Sequence, residues 1–279
     1  MICLSCPRKC ASERGRGYCG APKNPVIARA ALHHFEEPLI SGKNGSGTVF
    51  FSYCNMRCAY CQNFEVSRGQ KGREVNISEL ADIFNALQAQ GAHNINLVTP
   101  SHYTQAIKEA LQQAALKIPV VYNTSGYDLP ENLINLSPYV KIWLTDFKYA
   151  RENSAELLSD CPDYPSFALT ALETMLKLAG APVIENGLLK SGVIIRHLVL
   201  PGYRKKSIEV LDLLKPYKEK ILLSLMAQYT IMPQCRIAEL RRKLTSFEYN
   251  SVAEHARNAG FEGFIQDISA AGKEYVPEF

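Results

Sequence analysis

Short apolar runs alternate with amphipathic stretches along most of the chain. Residues 48–52, 94–98, 119–122, 140–145, 193–200 and 221–226 read as buried strands. Between them apolar residues recur at helical spacing. Leu80, Ile83, Phe84 and Leu87 share a face after an N-cap at Ser78. Ile107, Leu111, Ala114 and Ala115 do so after a cap at Ser101, and 129–136 is a shorter helical piece. A helix near 165–179 carries Ala168, Ala171, Leu172, Met175, Leu176 and Ala179 and ends at Gly180. Another follows near 207–215. This alternation predicts parallel strands joined by right-handed crossovers. A full eight-fold barrel takes about 250 residues. Residues 48–227 supply six units, so the expected fold is α/β, a partial (β/α)6 TIM-like barrel. An open doubly wound sheet is the alternative.

Two flanking stretches complete the pattern. Residues 26–32 predict a short strand, and the glycines of 42–47 a turn into the next one, with no Walker pattern. Tyr249, Val252 and Ala256 mark a helix that Gly260 ends, with a last strand at 261–265. The expected parts are a cysteine-rich segment over 1–40, the partial barrel over 41–230 and a helical extension over 231–279.

Composition adds constraints. The chain has 279 residues, 47% apolar and 21% charged, with a net charge of +4, so it is globular and gives no case for a nucleic-acid or membrane partner. Two basic clusters, Arg204-Lys205-Lys206 and Arg241-Arg242-Lys243, read as solvated helix faces. No apolar run approaches the ~20 residues that span a bilayer, and the first residues lack the blocks of a signal peptide. A cytoplasmic location is expected. Nine cysteines in such a compartment are not structural disulfides. Seven of them fall into two tight groups, which points to metal or cluster ligation. Cys161 and Cys235 stand apart and read as free thiols.

The first group is Cys3, Cys6, Cys10 and Cys19, spaced C-x2-C-x3-C-x8-C in a stretch too polar to fold on an apolar core. A bound metal would supply that folding energy. Four thiolates suit structural zinc, and equally an auxiliary iron–sulfur cluster. The second group is Cys54, Cys58 and Cys61, spaced C-x3-C-x2-C directly after the first barrel strand. A [4Fe–4S] cube takes four thiolates; a loop offering three leaves one iron open to a chelating ligand. The end of a barrel strand is where such folds place their chemistry.

Strand periodicity names further candidates. Val140, Ile142, Leu144, Asp146 and Lys148 share one face of the fourth strand, apolar below and charged at its C-terminal end. On the fifth, Arg196 shares a face with Ile194, Leu198 and Leu200, while His197 points the other way.

The loop resembles the radical S-adenosylmethionine (SAM) superfamily, whose motif is C-x3-C-x-aromatic-C, with Tyr60 as the aromatic residue. The following Gln62-Asn63 is similar to the branch of glycyl-radical-enzyme activating enzymes such as the pyruvate formate-lyase activating enzyme. The resemblance implies a [4Fe–4S] cluster on Cys54, Cys58 and Cys61 whose open iron binds the amino and carboxylate groups of SAM. It implies reductive cleavage to a 5′-deoxyadenosyl radical that abstracts hydrogen. An external donor such as flavodoxin or ferredoxin would supply the electron, and a glycyl-radical enzyme would be the partner. An Asp-Leu-Lys pattern in the family supports Asp146 and Lys148 as site residues, and its Arg-containing strand ending in Pro-Gly supports Arg196 as a ligand of the SAM carboxylate or ribose. Tyr60, Asn63, Ser125 and Gln228 are the other cofactor-side candidates.

Two departures qualify the transfer. Where the family carries Gly-Gly-Glu for the SAM amino group, this chain reads Thr99-Pro100-Ser101-His102. The hydroxyls of Thr99 and Ser101 become the candidates for that group, and His102 a candidate for the substrate. The four-cysteine group precedes the radical motif, whereas the ferredoxin-like cysteines of some activating enzymes follow it. It approximates the Cys-x-x-Cys-Pro-Arg-x-x-Cys start of a group of activase-like radical proteins. The competing readings are a radical SAM enzyme acting on a small molecule, and a non-catalytic iron–sulfur or zinc protein for electron transfer or scaffolding.

Overall fold

Each predicted apolar run is a strand of one sheet in the computed structural model, which describes residues 2–267. In chain order the strands are β1 (Val26–His33), β2 (Ser46–Phe51), β3 (Arg73–Glu74), β4 (Ile95–Val98), β5 (Val120–Thr124), β6 (Val140–Asp146), β7 (Val183–Glu185), β8 (Leu188–Leu198), β9 (Leu222–Met226) and β10 (Gly263–Ile265). The helices are α1 (Pro38–Ser41), α2 (Phe64–Ser67), α3 (Ile77–Ala89), α4 (Thr104–Gln113), α5 (Pro130–Leu136), α6 (Glu152–Ser159), α7 (Tyr164–Ala179), α8 (Arg204–Leu214) and α9 (Ser246–Asn258).

The strand order is β10-β9-β8-β6-β5-β4-β2-β1-β3. Pairing is parallel from β2 through β4, β5, β6, β8 and β9 to β10, and antiparallel for β1 with β2 and with β3. Helices α3, α4, α5, α7, α8 and α9 cross between successive parallel strands. This is the partial (β/α)6 barrel, left open because β10 and β3 stand at opposite ends of the sheet. The period-two face of β6 sorts as expected. Ile142 and Leu144 pack inside with Val121, Ile194 and Leu222, while Trp143 packs outward with the helices.

Some local expectations are corrected. Helix α3 is capped by Asn76, not Ser78, because Asn76 and Glu79 form a reciprocal capping box. Helix α4 begins at Thr104, and Ser101 does not cap it. Helix α6 and the β7–β8 hairpin were not anticipated. The hairpin turns at Asn186-Gly187, with φ of 52° and 75°, the two left-handed residues that a tight hairpin requires. Among the described residues no helix is long and apolar enough to cross a membrane.

Glu248 fastens α9 to the barrel. It accepts from the Gly202 N–H at 2.7 Å, from Arg242 at 2.7 and 2.8 Å, and from the Thr245 hydroxyl at 2.8 Å. The Arg242 hydrogen bonds hold its carboxyl well below the usual range, against the opposing effect of burial. Glu248→Ala should lower stability by about 2 kcal/mol, through the lost cap and charge-assisted bonds. Urea unfolding measures it. The deficit should shrink as pH falls through the folded pKa, where wild type loses the same bonds.

Candidate active site

The parallel strands end at one rim, where a cavity of about 340 Å³ opens. The loop after β2 forms one wall. Tyr53, at φ 71°, turns the chain out of the strand. Backbone bonds from Arg57 to Ser159 and from Ala59 to Leu158 tie the loop to the end of α6, at 3.3 and 2.9 Å. Met56 is buried beneath it. The Asn55 side chain donates to the Tyr127 carbonyl at 2.8 Å.

This anchoring brings Cys54, Cys58 and Cys61 to the cavity. The Met56 N–H donates to Cys54 Sγ at 3.4 Å, and the Asn63 N–H to Cys61. Ser159 Oγ lies 3.0 Å from Cys58 Sγ, and Tyr149 links Ser159 to the Tyr60 hydroxyl at 2.5 and 2.8 Å. Burial, and then the neighbouring thiol charges, push Cys54 and Cys61 above the ordinary thiol range. A cation would have to ionise them. Among the described residues no three Cys, His, Asp or Glu side chains converge tightly enough to share one ion. The three thiols instead line one cavity together, as a cube with each thiolate on a separate iron requires. Asn63 Oδ1 is buried, has no partner, and belongs to a residue lining the cavity, as a site for a ligand donor requires.

A buried charge network forms the opposite wall. Asp146 pairs with Lys148 at 2.6 Å and with Arg196 at 3.1 Å; Arg196 also pairs with Glu36 at 3.3 Å. Asn123 Oδ1 accepts from Arg196 at 2.5 Å, while its amide donates to Glu36 at 3.3 Å. Asn96 donates to the same Glu36 oxygen at 3.1 Å. Burial alone would raise the Asp146 pKa, but Lys148 and Arg196 outweigh it and hold the carboxyl below its usual value. Burial opposes the charge on Lys148, and Asp146 more than restores it. Lys148 is therefore a fixed cation. Glu36 goes the other way: burial raises its pKa despite Arg196.

Of the sequence candidates, Cys54, Cys58, Cys61, Tyr60, Asn63, Thr99, Ser125, Asp146, Lys148, Arg196 and Gln228 all line this cavity. Ser101 and His102 do not. Thr99 has φ of 60°, and the chain turns away there. The Ser101 hydroxyl then meets Thr124 at 3.2 Å, and His102 lines a separate small cage with Cys3, Cys6, Cys10 and Cys19. Sequence reasoning missed Glu36 and Glu37, and the Tyr149–Ser159 link. Nothing local marks Glu36, since its Arg196 partner lies 160 residues away.

Gly126 holds the rim close to the network. It has φ of 83°, and a Cβ there would lie 2.6 Å from the Asp146 carbonyl and 3.2 Å from the Tyr164 hydroxyl. Gly126→Ala should destabilise the protein by about 2–4 kcal/mol, from left-handed strain plus overpacking. Urea midpoints test this. Cofactor affinity should also fall, because relief of the clash moves Asp146.

Comparison with known proteins agrees with the geometry. Residues 48–152, which carry the cysteine loop, the β4 and β5 rims and Asp146-Phe147-Lys148, match the family described as the Radical SAM superfamily. The chain is also similar to an uncharacterized protein of Methanocaldococcus jannaschii, 28% identical over 269 residues, covering 91% of this chain and 74% of the relative. The match to the radical SAM superfamily thus lies over residues 48–152, and it implies the [4Fe–4S] cluster and SAM that enzymes of that superfamily use.

Proposed function

We propose that this chain abstracts a hydrogen atom from a glycine of a partner protein, as a cytosolic glycyl-radical activating enzyme fed electrons by a flavodoxin or ferredoxin. The observation that carries the radical chemistry is one cavity with three cysteines on one wall and the Asp146–Lys148–Arg196 network on the other. The Cys61-Gln62-Asn63 sequence supports the activating branch. Cys54, Cys58 and Cys61 would hold the cluster, and Asn63, Thr99, Ser125, Arg196 and Gln228 the SAM. Together, when bound, the cluster and SAM supply the 5′-deoxyadenosyl radical.

The chain's own groups orient and shield. Lys148 and Arg196 present fixed cations for a carboxylate, and Asp146 keeps both in place. Phe50, Phe51, Met56 and Val66 form an apolar wall that limits water. A small-molecule substrate is the second reading. It is favoured by Glu37, which lines the cavity with a buried, unpartnered Oε2 suited to a donor group.

Anaerobically reconstituted, dithionite-reduced protein should convert SAM to 5′-deoxyadenosine. Deuterium from an α-deuterated glycine in a candidate partner should appear in that product. Absence of 5′-deoxyadenosine overturns the radical reading. Product that takes deuterium only from a small molecule overturns the activating one.

A further inference from the structure

The segment before β1 is built inside out. Residues 2–20 contain no helix and only an isolated bridge, Ile2 with Glu13. Its apolar side chains face solvent, Ile2 at 62% and Leu4 at 58% exposure, while Cys6 is buried at 5%. No apolar core explains why it folds. What it encloses is a small cage lined by Cys3, Cys6, Cys10 and Cys19, closed by Arg14, Asn55 and His102.

The cage has the features of a ligand site. Backbone N–H groups donate to three of the four thiols: Arg8 to Cys6, Tyr18 to Cys10 at 3.3 Å and Ala21 to Cys19 at 3.5 Å. The Cys6–Arg8 and Cys19–Ala21 spacing repeats that of Cys54–Met56 and Cys61–Asn63 in the radical loop. Two buried polar atoms of cage residues have no partner, Arg14 Nη1 and His102 Nδ1. His102, only 1% exposed, has Nε2 2.8 Å from the Ser52 carbonyl, so Nε2 is the donor and Nδ1 carries a free lone pair. Gly17 has its Cα against the cage, and a Cβ there would sit 3.3 Å from Cys10 Sγ.

We propose that Cys3, Cys6, Cys10 and Cys19 bind a second iron–sulfur cluster, closed by four thiolates, beside the radical loop. Zinc would offer Arg14 Nη1 only thiolate sulfurs, three of which already accept from backbone N–H groups. A cube would add inorganic sulfides, and these would accept from that buried, otherwise unpartnered donor. The site is coupled to the radical loop through one residue. Asn55 lines the cage, Cys54 beside it lines the large cavity, and Arg8 Nε donates to the Asn55 carbonyl at 3.0 Å. Arg14 donates to the His102 carbonyl at 2.6 Å, and Asn132 to the Ser5 carbonyl at 2.8 Å, which fixes the cage against the barrel.

The proposal goes beyond the radical reading and stands without it. The test is the full chain reconstituted anaerobically with ferrous iron and sulfide, analysed for iron, sulfide and zinc and by Mössbauer spectroscopy. Wild type should hold about eight irons, and a Cys54→Ala/Cys58→Ala/Cys61→Ala variant about four, with acid-labile sulfide and a spectrum that SAM does not alter. A Cys3→Ser/Cys6→Ser/Cys10→Ser/Cys19→Ser variant should lose about four irons. The loop variant reads the cage alone, so the inference survives misfolding of the second variant. It is overturned if the loop variant binds no iron, or takes up one zinc per chain and no sulfide.

Discussion

Replacing Cys58 with alanine should abolish SAM cleavage, leaving 5′-deoxyadenosine at the level of a protein-free control. Two thiolates cannot hold a cube that already relies on three. Cys58 is also tied to a buried hydroxyl chain. The Ser159 hydroxyl lies 3.0 Å away and is tied through Tyr149 to Tyr60, so one buried chain of hydroxyls sets the loop. Removal of the sulfur leaves that chain intact, because Ser159 keeps Tyr149 at 2.5 Å. The fold should therefore survive, with an unchanged urea midpoint beside a lost activity. Iron at the N-terminal cage should remain. If Cys58→Ala still forms 5′-deoxyadenosine, the loop is not the cluster site.

The barrel was legible because its signal is local. An apolar run of four to eight residues between helical faces reads as a buried parallel strand, and β4, β5, β6 and β9 are such runs. What escaped was small or exposed. All three residues of β7 are exposed and carry no burial pattern, although Asn186-Gly187 was a turn signal that could have revealed the hairpin. The cap of α3 was missed for a similar reason. Ser78 is a good capping residue, but Glu79 stands three after Asn76, and that pair makes the reciprocal box.

The site divides along the same line. Asp146, Lys148 and Arg196 were readable because strand period puts charge at the end of an apolar face. Period cannot say where a chain goes after the strand. Thr99 takes a left-handed backbone, and from there Ser101 and His102 run away from the cavity toward the cage. Glu36 comes from the opposite direction: it reaches the network from the β1–α1 connection, a contact made only by the assembled barrel.

Arg196→Met should cost about 3–5 kcal/mol in stability at neutral pH, because it leaves buried carboxylates without their cation. The loss falls unequally. Asp146 keeps Lys148 at 2.6 Å, whereas the ion pair of Glu36 is with Arg196. Burial already raises the Glu36 pKa with Arg196 in place, and removal of the guanidinium raises it further. A raised carboxyl makes the folded state bind more protons than the unfolded one, so variant stability falls as pH rises through that range. Protonation of Glu36 removes the unpaired charge, and the deficit relative to wild type should narrow from about pH 8 to about pH 5. Asp146 works in the opposite sense. Its lowered pKa in wild type gives stability above the ordinary carboxyl pKa that is lost as pH falls through the folded value. Urea midpoints at the two pH values separate these effects. A deficit independent of pH would mean that Arg196 acts by packing alone. SAM binding supplies the second readout: if Arg196 holds the carboxylate of the cofactor, affinity stays low at the acidic pH where stability has recovered.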